Sequence, residues 1–108
     1  MACIIKLKEN TYIEWSKASD SPASKIMDID KLKDHLREVF KVEGLLKNKP
    51  ISPQEVDVKI ANLIKVIEET GTSDSGGAVD LDFILKYNRA GENEQRLSLE
   101  EILNTFTS

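Results

Sequence analysis

The chain has 108 residues, of which 40% are hydrophobic and 31% charged, and this composition is typical of one globular domain rather than a disordered chain. Its formal net charge of −4 removes the electrostatic attraction that supplies most non-specific affinity for nucleic acid, so we expect no nucleic-acid partner. No apolar run approaches the roughly 20 residues that a membrane span needs, and the single cysteine, Cys3, cannot form an internal disulfide. We therefore expect a single domain spanning residues 1–108, located in the cytoplasm, with no membrane contact.

Residues 3–16 have the pattern of a β-hairpin. A three-residue loop at positions 8–10 collects the apolar side chains on one face and gives Asn10 the position where a left-handed residue is preferred. The predicted pairs are Leu7 with Thr11, Ile5 with Ile13 and Cys3 with Trp15. The outer face then carries Ile4, Lys6, Tyr12 and Glu14. Helices must cover the apolar face, and the two strand edges are open to a second copy or another protein unless loops cover them.

A helix is predicted over residues 29–41, with Asp28 as its N-cap. Its apolar stripe consists of Ile29, Leu32, Leu36, Val39 and Phe40. The Ser-rich segment 18–26 before it is a polar connector, and the alternative is a rim of hydroxyls over a ligand. His35 borders the stripe among charged residues, and we predict an ordinary surface or boundary position for it.

The clearest local signal predicts a helix over residues 53–70. Ser52 and Glu55 have the spacing of a capping box, with a proline at the first helical position, and Gly71 can end the helix in the left-handed conformation. Two valines, Val58 and Val66, lie off the main apolar stripe. This helix is therefore expected to contact structure on more than one side, and a second protomer is one candidate.

Residues 79–88 fit two structures. Their alternation of apolar and polar side chains is typical of a half-buried strand. A helix over residues 81–90 also fits, with Asp80 as its N-cap and Gly91 as its stop. We favour the helix because both of its ends carry such a signal.

A last helix is predicted over residues 99–107, because Ser98 and Glu101 form a second capping box. Together these elements predict an α+β fold in which an N-terminal β-hairpin packs against three to four α-helices.

Patterns that support catalysis or metal binding are missing from the sequence. One histidine and one cysteine cannot supply a zinc site. The acidic pairs that begin at Asp28 and Asp80 lack the glycine and distal glutamate of a calcium loop, and they suit helix starts instead. The Gly-rich segment 71–77 lacks the lysine of a phosphate loop. We therefore expect a non-enzymatic protein without a metal or cofactor.

Five residues are the best candidates for a ligand site. They are Thr72, Ser73, Tyr87, Asn88 and Arg89. Hydroxyls and backbone N–H groups near residues 72–73 could hold an anion, and an aromatic ring, an amide and a guanidinium at 87–89 suit a nucleotide or an acidic peptide. The alternative is that Asn88 caps a helix and Arg89 is solvated. We call these five residues the polar rim.

Three fragments of the chain are distinctive: TYIEWS at 11–16, ETGTS at 69–73, and NRAG at 88–91 followed by LSLEEIL at 97–103. They resemble a group of small uncharacterised proteins encoded in bacteriophages and prophages. The group brings no assigned activity and no catalytic residues. The resemblance implies a mode of action, because small phage proteins commonly bind a host protein or a host defence signal stoichiometrically.

Two functions are expected on these grounds. The first is a phage-type accessory protein, a homodimer or larger, that sequesters or inhibits a host defence component or its nucleotide signal in the host cytoplasm. The second is a structural or regulatory interaction module that pairs through an open hairpin edge or through the Val58 and Val66 side of the long helix.

Overall fold

In the computed structural model, which describes residues 2–49 and 51–107, an antiparallel sheet lies between two pairs of helices. The strands are β1 (Ala2–Lys8), β2 (Thr11–Ser16) and β3 (Ser21–Pro22), in that order across the sheet. The helices are α1 (Ile29–Leu46), α2 (Pro53–Thr70), α3 (Leu81–Tyr87) and α4 (Leu99–Thr105), and a 3-10 helix spans Glu92–Glu94. The predicted α+β fold is confirmed, and a short third strand extends the hairpin.

The hairpin has the predicted pairing over most of its length. Cys3 lies opposite Trp15, and Ile5 lies opposite Ile13. Asn10 adopts the left-handed conformation, with φ of 53°. The predicted register therefore places Cys3, Ile5, Ile13 and Trp15 on one face of the sheet, because successive side chains of a strand alternate between its two faces.

The turn of the hairpin differs from the prediction by one residue. Thr11 pairs with Lys8 rather than with Leu7, and the ladder is irregular between residues 6 and 8. The turn closes over residues 9–10, and the irregularity keeps the Leu7 side chain on the buried face, where it is 2% exposed.

Both faces of the sheet are buried, so the prediction of a single apolar face was wrong. One face buries Cys3, Ile5, Leu7, Ile13 and Trp15 against Ile84 of α3 and Ile102 of α4. The other face buries Ile4 and Tyr12 against Leu32 and Leu36 of α1 and Val56, Ile60 and Ile67 of α2. Tyr12 and Ile4 are only 3% and 4% exposed because two long amphipathic helices bury their apolar stripes on this side.

Loops cover both edges of the hairpin. Along β1, the Lys6 N–H donates to the Gly71 carbonyl and the Ser73 N–H donates to the Ile4 carbonyl, both at 2.9 Å. Along β2, β3 covers one end, and farther along Tyr12 exchanges two backbone hydrogen bonds with residue 27. At these positions the edges are already hydrogen-bonded within the chain, so a strand of a second molecule cannot pair with them there.

The two long helices begin where the capping signals predicted. The Ser52 hydroxyl accepts from the Glu55 N–H at 3.3 Å, and α2 ends at Gly71, whose φ is 82°. α1 continues to Leu46 rather than ending near residue 41. The added turns include Gly44, which is buried where the chain folds back, and a Cβ there would lie 3.0 Å from the Lys49 carbonyl oxygen.

The two short helices confirm the helical interpretation of the C-terminal part. α3 ends at Tyr87 rather than at residue 90, because Asn88 is extended (φ −66°, ψ 154°). Gly91 does not end α3 but precedes the 3-10 helix. α4 begins with the predicted capping box and ends at Thr105 rather than at residue 107. None of the helices in the described residues is both long and apolar enough to span a membrane.

Candidate functional site

Thr72 and Ser73, two members of the polar rim, follow α2 and cover the edge of β1. The Thr72 hydroxyl donates to the Val79 carbonyl at 2.7 Å and accepts from the Asp74 N–H at 3.1 Å, and Thr72 is 1% exposed. The Ser73 hydroxyl accepts from the Ile4 N–H at 2.7 Å. Both hydroxyls are therefore used by the fold.

Asn88 connects the end of α3 to the segment that leads into α4. Its amide nitrogen donates to the carbonyls of Ile84 and Leu97, the latter at 2.9 Å. Its Oδ1 accepts from the N–H groups of Leu97 at 2.8 Å and Ala90 at 3.3 Å. With 3% exposure and these four bonds, Asn88 is a buried structural residue, which corresponds to the helix-cap alternative.

Tyr87 and Arg89 are the members of the polar rim whose side chains are exposed. Tyr87 is 60% exposed, and its ring centroid lies 4.9 Å from that of Phe83 in a tilted arrangement. The Arg89 backbone N–H donates to the Asp20 carbonyl at 2.8 Å. Of the five predicted ligand residues, these two have the greatest freedom to contact another molecule.

The polar rim falls into two groups, residues 72–73 and residues 87–89, which are connected through the turn at residues 17–20. Lys17 Nζ lies 2.8 Å from Asp74 Oδ1, next to residues 72–73. In the same turn, the Asp20 carbonyl accepts from the Arg89 backbone N–H. The bond from Lys17 and two backbone N–H groups lower the pKa of Asp74. This turn therefore lies beside both groups of the polar rim. The two depressions on the surface between α1 and α2 are lined by other residues.

A polar cluster that joins α2 to the hairpin was not predicted. The Glu68 carboxylate accepts from the Tyr12 hydroxyl and from the Lys6 ammonium, whose Nζ lies 2.6 Å from Oε2. Burial, and then the bond to Glu68, raise the pKa of Tyr12 to about 12. The bonds from Lys6 and Tyr12 lower the pKa of Glu68. Glu68 is 56 and 62 positions from its two partners, so no local pattern could reveal the cluster.

These protonation states suit a structural connection more than catalysis. At neutral pH Tyr12 keeps its proton and Glu68 keeps its charge, whereas a general acid or base works best with a pKa near the working pH. Cys3 is buried, and burial raises the pKa of its thiol, which disfavours the reactive thiolate. His35 lies elsewhere, with Nε2 2.6 Å from Glu14 Oε2, and connects α1 to β2.

Metal ligands do not converge in the described part of the chain. Within residues 2–49 and 51–107, no group of three or more His, Cys, Asp or Glu side chains is placed to hold a metal ion.

A groove of two adjoining depressions follows the surface between α1 and α2. One has a volume of about 400 Å³ and is lined by Arg37, Lys41, Ile51, Pro53, Val56 and Asp57. The other has a volume of about 420 Å³ and is lined by Lys33, Arg37, Asp57, Ile60, Ala61 and Ile64. Arg37 and Asp57 line both, with 3.7 Å between Nε and Oδ1. We call this feature the α1–α2 groove.

Exposed aliphatic side chains are concentrated at the C-terminal end of α1. Val42, Leu45 and Leu46 are 49%, 63% and 82% exposed. Their spacing of three and four residues places them together on the helix surface, and we call them the α1 apolar end. On α2, Val58 and Val66 are also exposed, so their predicted contact with a second protomer stays a prediction.

Comparison with known proteins assigns no family to this fold or to these surfaces. No family model matches the chain, and no match was found among curated proteins or among solved structures. The resemblance to small phage-encoded proteins therefore stays an expectation from the sequence.

Proposed function

We propose that this protein is a non-enzymatic binding module that forms a stoichiometric complex with a protein partner through its α1–α2 layer. The observation that carries the proposal is the α1 apolar end, where three large aliphatic side chains are exposed side by side. Contiguous exposed apolar surface with a polar surround is characteristic of protein interaction sites. A partner that covers these side chains gains the free energy of removing them from water.

Two other routes to binding are less well supported. The hydroxyls of Thr72 and Ser73 and the amide of Asn88 are bonded within the fold, which leaves the polar rim with few groups for a ligand. The hairpin edges are covered by residues 71–73 on one side and by β3 and residue 27 on the other. The helix surfaces are the part of the described chain that presents apolar groups to a partner.

The proposed action agrees with what the phage resemblance implies. In that setting the partner is a component of host defence, and occupying its surface inhibits or sequesters it. A homodimer or larger assembly, as expected from the sequence, is proposed to use the outer side of α2, where Val58 and Val66 are exposed. Native mass spectrometry of the wild type and of Val58→Asp tests this assembly, and an unchanged subunit number in the variant contradicts it.

Sequestration of a nucleotide signal is the second candidate. The observation in its favour is the exposed ring of Tyr87 with the exposed Arg89 two residues later, since a ring and a guanidinium can stack on a base and pair with a phosphate. Tyr87→Ala combined with Arg89→Ala is expected to abolish such binding. If this variant retains every nucleotide affinity measured by calorimetry, the polar rim is not the site.

The experiment that separates the two candidates is affinity capture followed by native mass spectrometry with matched variants. A Leu45→Gln/Leu46→Gln variant removes the apolar surface with helix-compatible side chains, and Tyr87→Ala/Arg89→Ala serves as its control. We expect the wild type and the control to retain the same protein at a fixed stoichiometry, and the glutamine variant to lose it. Retention of that protein by the glutamine variant would overturn the proposal.

A further inference from the structure

We infer that the α1–α2 groove binds an acidic amphipathic helix of the partner protein. This inference rests on the proposed function and specifies the chemistry of the partner. It follows from three features of the groove, which are an apolar floor, a cationic wall and a length that matches a few helical turns.

The floor of the groove is aliphatic. Val56, Ile60 and Ile64 of α2 line it at successive turns of the helix, and Ile51 extends it toward the loop between the helices. Val56 and Ile60 also belong to the core that covers the sheet, so the floor is held in place by the fold. Val56 and Ile60 are 8% and 3% exposed. The apolar surface that meets a bound helix therefore comes mainly from the partly exposed Ile51 and Ile64 beside them. This surface suits the apolar stripe of a helix, in which large side chains recur every three to four residues.

The wall that α1 contributes is cationic. Lys33, Arg37 and Lys41 are four residues apart, so they stand in one row along the helix. Arg37 is held by carboxylates, at 2.8 Å from Asp34 and 3.7 Å from Asp57. Within the described residues, Lys33 and Lys41 have no ion-pair partner, and they are about 12 Å apart along the helix axis.

The spacing of this row specifies where a partner needs negative charge. Two free ammonium groups separated by about two turns match carboxylates at positions i and i+7 or i+8 of a helix that lies along the groove. The stretch of α2 that lines the groove, from Pro53 to Ile64, is about 16 Å long, which corresponds to three turns of a bound helix.

The same row leads into the α1 apolar end. Leu45 is the next residue after Lys41 at a spacing of four, so a helix lying in the groove meets an exposed leucine beyond the last lysine. The groove and the α1 apolar end therefore form one continuous surface. The chain as a whole carries a net charge of −4, so attraction for an acidic helix has to come from this local row and not from the overall field.

The test uses two synthetic helical peptides of about 18 residues, since a groove of this length needs three turns plus flanks. Both carry leucines along one side; one has glutamates beside them and the other has lysines. Binding is measured by fluorescence anisotropy, and the contact is mapped by NMR amide shifts. We expect the acidic peptide to bind, to shift amides of residues 33–45 and 53–64, and to bind at least about tenfold more tightly than the basic one at low salt.

Charge-reversal variants supply the control. Lys33→Glu/Lys41→Glu is expected to weaken binding of the acidic peptide by about tenfold and to improve binding of the basic one. Lys25→Glu/Lys86→Glu makes the same change in net charge at two exposed positions outside the groove and is expected to leave both affinities nearly unchanged. Circular dichroism of each variant establishes that it folds.

Three results overturn the inference: no binding of the acidic peptide, equal binding of both peptides, or equal losses in the two charge-reversal variants. The capture experiment with Leu45→Gln/Leu46→Gln tells these failures apart from a failure of the proposed function. If the glutamine variant loses its protein partner while the acidic peptide does not bind, the module still binds a protein, but one with different chemistry.

Discussion

The two helical layers on either side of the sheet are stabilised in different ways. The α1–α2 layer consists of two 18-residue helices that bury an apolar stripe and leave aliphatic side chains exposed on their outer surfaces. The α3–α4 layer consists of two seven-residue helices, each far too short to be stable alone in water. Side-chain hydrogen bonds to the backbone hold this second layer, through Asp80, Asn88 and Ser98.

The two layers also differ in the number of large apolar side chains that they leave exposed. In the α3–α4 layer the polar side chains of the connecting segments are bonded within the chain, and Tyr87 is the one large exposed apolar residue there among those described. Five of the six such residues belong to α1 or α2. The charges differ between the same two parts of the chain, since residues 71–108 carry seven acidic and three basic residues, whereas residues 29–70, which include α1 and α2, carry eight of each. Most of the large apolar side chains that are exposed among the described residues therefore lie on the two long helices, the side that we propose for binding.

Removing the Asn88 side chain is expected to have the largest effect on stability. Asn88→Ala deletes four hydrogen bonds and leaves the partly buried N–H and carbonyl of Leu97 without that partner, so we expect a loss of about 3 kcal/mol in the free energy of unfolding. Urea denaturation measures it. Asn104→Ala, at an exposed position of α4, is the control and should change stability by less than about 0.5 kcal/mol. Equal effects of the two substitutions would show that Asn88 does not hold the layer together.

Gly91 is expected to have the next largest effect, again in the short-helix layer. A Cβ at this position would lie 2.9 Å from the Gln95 carbonyl oxygen and 2.9 Å from Leu97 Cδ2, so Gly91→Ala forces the backbone to shift. We expect a loss of about 1–3 kcal/mol in the same measurement. Gly76→Ala has open space and is the matched control, because its nearest neighbour is 3.9 Å away. A neutral Gly91→Ala would mean that the loop adjusts freely.

A smaller effect is expected for the contact that ties α2 to the sheet. Tyr12→Phe removes the hydroxyl that donates to Glu68 and should cost about 0.5–1.5 kcal/mol at neutral pH. Because folding raises the pKa of Tyr12 to about 12, the hydroxyl contributes fully below pH 10 and its contribution is lost as the pH rises from 10 to 12. Stability measured across this range should fall more steeply for the wild type than for Tyr12→Phe. Tyr87→Phe removes the hydroxyl of an exposed tyrosine and serves as the matched control.

The smallest effect is expected at the α1 apolar end. Leu45→Gln/Leu46→Gln should change the free energy of unfolding by no more than about 0.5 kcal/mol, because both side chains are largely exposed and glutamine is a good helix former. Thermal denaturation of the purified variant checks this. A loss of several kcal/mol would mean that the two leucines are buried in the folded protein as it exists in solution, for example in a homodimer.

Features that depend on neighbouring residues were predictable from the sequence. The starts of all four helices follow from Asp28, Ser52, Asp80 and Ser98, whose side chains each accept a backbone N–H three residues later. The ends of α1 and α3 were predicted wrongly. Gly91 was taken as the stop of α3 although it packs closely against Gln95 and Leu97, and α1 was ended near residue 41 although it continues through the buried Gly44 to Leu46. The burial of the second face of the sheet was missed because Tyr12 and Lys6 have polar ends that bind a distant carboxylate.

The candidate site was also harder to predict, because its residues bind groups that are not their neighbours in the sequence. Asn88 and Thr72 were selected as polar residues in connecting segments, but the backbone groups that they bind lie up to nine positions away in the sequence. The α1–α2 groove depends on which sides of two helices meet, and periodicity identifies a buried stripe without specifying its partner. Exposed Val58 and Val66 were predicted to lie off that stripe, and the fold places them on the outer side of α2.

The position of Trp15 gives the protein a built-in optical probe of one layer. It is the single tryptophan of the chain, fully buried on the face of the sheet that α3 and α4 cover. Its emission is therefore expected at short wavelength in the native state and shifts to the red when water reaches that face. Loosening of the α1–α2 layer alone leaves the indole shielded, whereas circular dichroism, dominated by the two long helices, records it. The two signals together can show whether a partner that engages α1 and α2 also alters the opposite side of the sheet.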